Sequence, residues 1–214
     1  LAISLLERFG DSMLKGGHQR SMGHCFDFIG DTVLAEHPRL SLLAARVARN
    51  RYDYARVESL LGGAEAYIRT EDPDYWASVE GKFATVRAQA AIARGEVADA
   101  RELAQDALEL LDDDNLSDIA AAKLVIGETS FCAGQLDTAM TYMVEVEKMN
   151  RLATDWPSTA WALCQQAEIL FAQGAPYRAQ ERQQQAQHII EQHHLHGLPI
   201  AEFVQRLKAQ LLWE

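Results

Sequence analysis

A ten-residue phrase recurs along the chain and narrows the folds open to it. It reads AIARGEVADA at 91–100, SFCAGQLDTA at 130–139 and LFAQGAPYRA at 170–179. Glycine is fifth and alanine tenth in each copy, so Gly95, Gly134 and Gly174 stand 39 and 40 residues apart. A weaker copy, RVARNRYDYA at 46–55, sets Asn50 at the glycine position and Ala55 at the alanine position. Small residues recur seven before the turn (Ala88, Gly127, Ala167) and seven after the alanine (Gly62, Ala107, Val146, Ala186). A helix, a tight turn that accepts positive φ, and an antiparallel helix account for the phrase. The small residues fall where such helices would cross closely. Helix pairs repeated about every 40 residues build an α-solenoid. The expected fold is all-α, a tetratricopeptide-like superhelix of 10–11 antiparallel helices in one domain, 1–214, with units near 38–70, 76–112, 117–153 and 157–195.

Local signals fill in that outline. Residues 2–14 read as an amphipathic helix stopped by Gly16-Gly17, and Asp31 is placed to cap a short helix reaching His37. Pro38 and Pro157 suit first helical turns, and Gly197-Leu198-Pro199 reads as a stop. Periodic helix is already under way at Leu1, and Leu211, Leu212 and Trp213 expect a neighbour, so the chain reads as a fragment of a larger protein.

Composition removes several functions. There is no run of about 18 apolar residues, so no membrane span is expected. Cys25, Cys132 and Cys164 lack metal-ligand spacing. Cys132 and Cys164 lie eight aligned positions apart, which is about 12 Å along a helix and too far for a disulfide. Reduced thiols point to the cytoplasm. Net charge is −11, and residues 108–214 carry 7 basic against 15 acidic side chains. Such a surface repels a phosphate backbone, so direct nucleic-acid binding is not expected.

Catalytic patterns are missing too: neither a Ser-His-Asp order nor a phosphate-cradling glycine loop is found, so no enzyme and no cofactor are expected. LDDDNLSD at 111–118 resembles the start of a calcium loop, but no glycine stands sixth and Lys123 stands twelfth, so a plain inter-repeat turn is the expectation. His188, His193, His194 and His196 gather at a helix end, where histidine is favourable without a metal. Arg39, Arg46, Arg49, Arg51 and Arg56 form a basic face with only Asp53 near in sequence, read as a solvated face or as a dock for an acidic partner.

Superposing the first helices of the repeats gives the candidate site. Gln89, Glu128 and Glu168 stand six before their glycines, Ile92, Phe131 and Phe171 three before, and Lys82, Ala121 and Trp161 thirteen before. This spacing makes one stripe, and in a helix-pair solenoid a stripe of the first helix faces the concave groove. Lys82, Gln89, Glu128, Phe131, Trp161, Glu168 and Phe171 are the candidate ligand-binding residues. The competing reading makes the phenylalanines core and the glutamates solvated. Stacked carboxylates with an amide and an indole would suit a polyhydroxylated or cationic molecule.

The stretch 16–65 carries a resemblance of its own. His37-Pro38-Arg39-Leu40, then Leu42-Leu43-Ala44, a turn, and Leu60-Leu61-Ala64-Glu65 resemble the opening of the sensor region in MalT-type regulators, large ATP-dependent transcription activators of the LuxR class. The resemblance extends over essentially all 214 residues with degenerate motifs, and departs at Asn50 and in the last 20 residues. It implies a superhelix that senses a small inducer and affects oligomerisation, flanked in the whole protein by an ATPase and a helix-turn-helix domain. It fixes no ligand residue. The alternatives are a repeat scaffold taking a peptide or protein partner in its groove, without a small effector, and a helical enzyme using the histidine cluster.

Overall fold

A computed structural model describes residues 2–213. Those residues form twelve α-helices and no strand: α1 (Ala2–Lys15), α2 (Gln19–Ile29), α3 (Asp31–Ala35), α4 (Pro38–Asn50), α5 (Tyr54–Glu71), α6 (Pro73–Arg94), α7 (Val97–Leu110), α8 (Leu116–Cys132), α9 (Leu136–Leu152), α10 (Trp156–Ala172), α11 (Pro176–Gln192) and α12 (Pro199–Trp213). That is one more than the upper expectation, counting the five-residue α3. Helices α4 to α11 pair as four successive hairpins, and the chain is a helical-repeat solenoid.

The first helices α4, α6, α8, α10 and α12 also touch one another in order, whereas α5, α7, α9 and α11 pack on the flanking first helices and meet each other marginally at most. The side on which consecutive helices meet is the shorter arc of the stack. The first helices therefore line its inner face and the second helices stand apart on its outer face.

One hydrogen bond shapes all the hairpin turns. The Glu96, Gln135 and Ala175 amides donate to the carbonyls of Ala91, Ser130 and Leu170 five residues earlier. The residue between helix end and donor must take a left-handed backbone, and Gly95, Gly134 and Gly174 do so at φ 82°, 73° and 74°. In the first unit the Asp53 amide donates to Ala48, and the left-handed residue is Tyr52 at φ 61°. Asn50 is thus not the turn: it is the last residue of α4, its Oδ1 accepting from Arg49 and its Nδ2 donating to Gln19. The frame of the first repeat moves by two residues. Ala64, not Gly62, then aligns with Ala107, Val146 and Ala186, and all four are fully buried at the helix crossings. The Asp53 side chain, which accepts from the Arg56 amide at 3.1 Å, caps α5 and fixes this register.

A left-handed valine has no stable rotamer-free escape, because its branched Cβ crowds the following carbonyl. Gly134→Val should therefore lower stability by about 1–3 kcal/mol. No atom lies within 4 Å of where that Cβ would sit, so the cost is backbone strain alone. Equal urea midpoints for variant and parent would refute the turn geometry.

Four of the five arginines of the expected basic face are neutralised by acids distant in sequence, Arg49 being the exception. Arg39 reaches Asp11 at 2.9 Å, Arg46 pairs with Asp118 and Asp11, Arg51 with Asp27, and Arg56 with Asp27 and Asp31. Asp31 opens α3 behind Gly30 and receives the Arg56 guanidinium instead of capping its helix as expected. These pairs hold α1–α3 against α4 and α5. Asp118, from the LDDDNLSD turn, is committed to Arg46 across the inner face.

Candidate functional site

In the corrected frame the inner stripe is longer. Arg46, Gln89, Glu128 and Glu168 stand six before the left-handed residue, Arg49, Ile92, Phe131 and Phe171 three before, and Arg39, Lys82, Ala121 and Trp161 thirteen before. Two of the expected basic-face residues, Arg46 and Arg49, belong to the same stripe as the expected groove residues.

These side chains join neighbouring helices into a polar ribbon. Arg49 of α4 donates to the Gln89 Oε1 of α6. Glu128 of α8 accepts from Trp161 Nε1 and from Gln165 Nε2 of α10, each at 3.1 Å. Glu168 of α10 accepts from Arg206 of α12 at 3.4 Å, and Phe203 of α12 tilts against the Trp161 ring with centroids 4.9 Å apart. Polar contacts thus link α4 to α6, α8 to α10 and α10 to α12, whereas α6 and α8 share an apolar cluster of Ala88, Ala91, Val125 and Ile126.

Burial gives the ribbon unusual electrostatics. Desolvation raises the Glu128 carboxyl to about 7, against the Trp161 hydrogen bond and the Arg49 charge, while the nearby Glu168 raises it further. Desolvation lowers the Arg49 guanidinium to about 10, with the neighbouring Arg46 charge acting the same way. Glu168 is also raised, first by burial, with Arg206 opposing. The buried Cys164 thiol, pushed up to about 12 by burial and by Glu168, is inert as a nucleophile.

The remaining candidates are distributed differently. Phe131, half-buried, packs against the cluster of Ala139, Met143 and Ile169, and Phe171, also half-buried, packs like Trp161 against the carboxy-terminal core. Lys82 is half-buried on α6 and makes no ion pair among the described residues. Gln165, Phe203 and Arg206 belong to the ribbon and were not singled out in the sequence. Gln165 lies one turn from Trp161, off the aligned positions, and α12 carries no copy of the recurring phrase.

Neither of the two cavities described opens on the ribbon. One of about 520 Å³ lies beside α11 near Arg151, Trp156, Glu181 and His193. The other, about 190 Å³, lies between α11 and α12. The histidine cluster stands at this end, with His193 stacked on Trp156 at 4.3 Å.

Residues 81–214 match the family model described as the MalT-like TPR region. The chain belongs to that family. Full-length relatives named HTH-type transcriptional regulator MalT match as well. The protein of Vibrio cholerae is 33% identical over 213 residues, covering all of this chain and 24% of the relative. That of Cronobacter sakazakii is 39% identical over 180 residues, 84% of this chain and 20% of the relative. The Serratia proteamaculans protein is 35% identical over 189 residues, 88% and 21% respectively. The chain spans about a quarter of the length of the curated relatives it matches. No helix of this MalT-like region is long and apolar enough to cross a membrane among the described residues.

The raised Glu128 carboxyl makes the stability of this MalT-like region pH-dependent. The unfolded carboxyl titrates near 4.5 and the folded one near 7, so between them the folded state holds the extra proton. That contribution is fully present below pH 4.5 and is lost as pH rises through about 7. Glu128→Gln keeps an acceptor for Trp161 and Gln165 but removes the titration. Its stability relative to the parent should therefore be higher at pH 8 than at pH 5, measured as urea midpoints. An equal difference at both pH values would show that Glu128 titrates normally.

Proposed function

We propose that this chain is the effector-sensing helical-repeat region of a cytoplasmic MalT-type transcription regulator of the LuxR class. It is a binding module, not an enzyme, and it leaves DNA contact and ATP chemistry to other domains of the same protein. The observation that carries this reading is the polar ribbon centred on Glu128 and Trp161. An array held through its apolar hairpin interiors has no need of half-buried carboxylates set near one another between its first helices, and these cost stability unless a ligand or a conformational change uses them.

The ribbon also supplies a mechanism. A ligand that takes hydrogen bonds from Trp161 and Gln165, or that gives them to Glu128 and Glu168, exchanges contacts between α8, α10 and α12 for contacts with itself. Each exchange alters the spacing of neighbouring first helices and hence the curvature of the stack, which flanking domains would sense. A neutral polyhydroxylated or a cationic effector fits paired carboxylates; an anionic one does not.

The reading is tested by adding neutral oligosaccharides, polyamines and dicarboxylates to the chain while following thermal unfolding and tryptophan emission. A neutral or cationic compound should raise the unfolding temperature and shift the emission, and dicarboxylates should do neither. Stabilisation by dicarboxylates alone would oppose the reading.

A further inference from the structure

The groove on the outer face, remote from the ribbon, has the construction of a second binding site. A cavity of about 520 Å³ runs along the outer side of α11, lined by Glu181, Gln184, Gln185, His188, Ile189, Gln192 and His193, and meets Arg151 at the end of α9 and Trp156 at the start of α10. Along α11 the lining runs from Glu181 to Gln192, twelve residues whose ends stand about 16 Å apart along the helix. The groove is long, shallow and polarised. Glu181 stands towards one end and forms no ion pair among the described residues. At the other, where α9 and α11 both finish, stand Arg151, the buried Ile189 and the Trp156–His193 stack. Arg151 is bound through Nε to Glu147 at 2.9 Å, which leaves both terminal guanidinium nitrogens to donate elsewhere. Between the ends lie the amides of Gln184, Gln185 and Gln192; the Gln185 Oε1 accepts from Arg182 at 3.1 Å, and its Nε2 is left to donate.

We propose that this groove binds an extended peptide segment of four or five residues, its carboxylate at Arg151 and its amino or basic side at Glu181. The length of the groove equals that of about five extended residues. Amide side chains match the alternating donors and acceptors of a peptide backbone, and the end charges fix its direction. The residue before the carboxylate lies on Ile189 and the aromatic pair, so an apolar or aromatic side chain is preferred there. This site is independent of the effector reading, since no residue of the ribbon lines it.

The probe is a five-residue peptide with lysine first, three alanines, and phenylalanine last with a free carboxylate, titrated calorimetrically into the chain. Saturable binding with a dissociation constant below about 1 mM is expected. The carboxy-terminal amide of the same peptide should bind at least about tenfold more weakly. Glu181→Gln, which breaks no internal ion pair, should weaken the free-acid peptide several-fold, and Arg151→Gln should weaken it about as much as amidation does. Glu128→Gln should leave the affinity unchanged. Failure to saturate at 5 mM peptide (a concentration roughly fivefold above the expected limit), equal affinity for acid and amide, or insensitivity to Glu181→Gln would each overturn the proposal. So would a neutral oligosaccharide that binds, loses affinity in Glu181→Gln and Arg151→Gln, and is not displaced by the peptide. Should Arg151→Gln fail to fold, the amide peptide and Glu181→Gln still decide.

Discussion

Phe83→Ala should lower the stability of the chain by about 3–5 kcal/mol. Phe83 is fully buried on α6 and meets the edge of Trp76, two turns earlier on the same helical face, with ring centroids 5.2 Å apart. It lies in the largest apolar cluster, which joins α1–α3 and the α4/α5 hairpin to α6 from Trp76 to Ala90. Removing the ring forfeits its transfer out of water and leaves a void that surrounding leucines and valines on five helices cannot all collapse into. Arg69 stacks over Trp76 at 4.6 Å from the outer side, so the indole is held and cannot swing in to fill the space. Because nearest-neighbour coupling carries a repeat array, the loss should appear as earlier unfolding of the amino-terminal helices. Hydrogen exchange would locate it: amides of α2, α4 and α5 should exchange faster, and those of α10 and α11 should change little. Uniform acceleration, or a cost under about 1 kcal/mol, would contradict the packing described.

Met143→Ala should cost about 2–5 kcal/mol, and the loss should interact with its neighbour Gly127. Met143 is fully buried on α9 with Ala139 and Ile169. A Cβ on Gly127 would stand 2.6 Å from its Cε and 3.1 Å from the Tyr142 Cβ, so the two helices cross where glycine alone fits. Gly127→Ala by itself should be destabilising by about 1–3 kcal/mol through overpacking. In the Met143→Ala background the Met143 sulfur and methyl are gone and only the Tyr142 Cβ stays close, at 3.1 Å, and alanine is the better helix former, so the change should cost clearly less than in the parent. A double-mutant cycle in urea reads the difference. Additive effects would show that Gly127 and Met143 do not share the crossing.

The architecture was legible because it rests on period and on turn chemistry. Gly95, Gly134 and Gly174 mark left-handed turns in sequence and in space, since glycine is the residue that takes that backbone freely. The first repeat misled for the same reason. Tyr52 takes the left-handed position without being glycine, as Thr154 and His194 do in the inter-repeat turns, and no side-chain type announces it. The better guide was Asp53, whose capping bond fixes where α5 begins. Moving the frame by two residues would have placed Arg46 and Arg49 on the inner stripe from the start.

The candidate site was legible in its periodic part only. Gln89, Glu128 and Glu168 follow the helical spacing, but which partners they find depends on how consecutive first helices approach. Trp161 and Gln165 reach Glu128 across sequence separations of 33 and 37 residues, and no local pattern encodes such a meeting. Phe131 and Phe171 share the spacing of the stripe and also pack against apolar clusters while staying half-buried, since a position at the edge of a helical face can touch both sides. The outer groove was not legible at all. It depends on how the end of α9 and the start of α10 meet the face of α11, a property of the stack and not of any one helix.

The effector reading is tested most directly by calorimetric titration of the compound that stabilises the chain into the parent and into Trp161→Ala and Glu128→Gln variants, with helicity checked by circular dichroism. Trp161→Ala removes the indole that donates to Glu128, and Glu128→Gln removes the carboxylate charge while keeping an acceptor for Trp161 and Gln165. Affinity should fall at least about tenfold in each variant, or about 1.4 kcal/mol, with the fold intact. Unchanged affinity in both variants would contradict the account and move the effector away from the inner face.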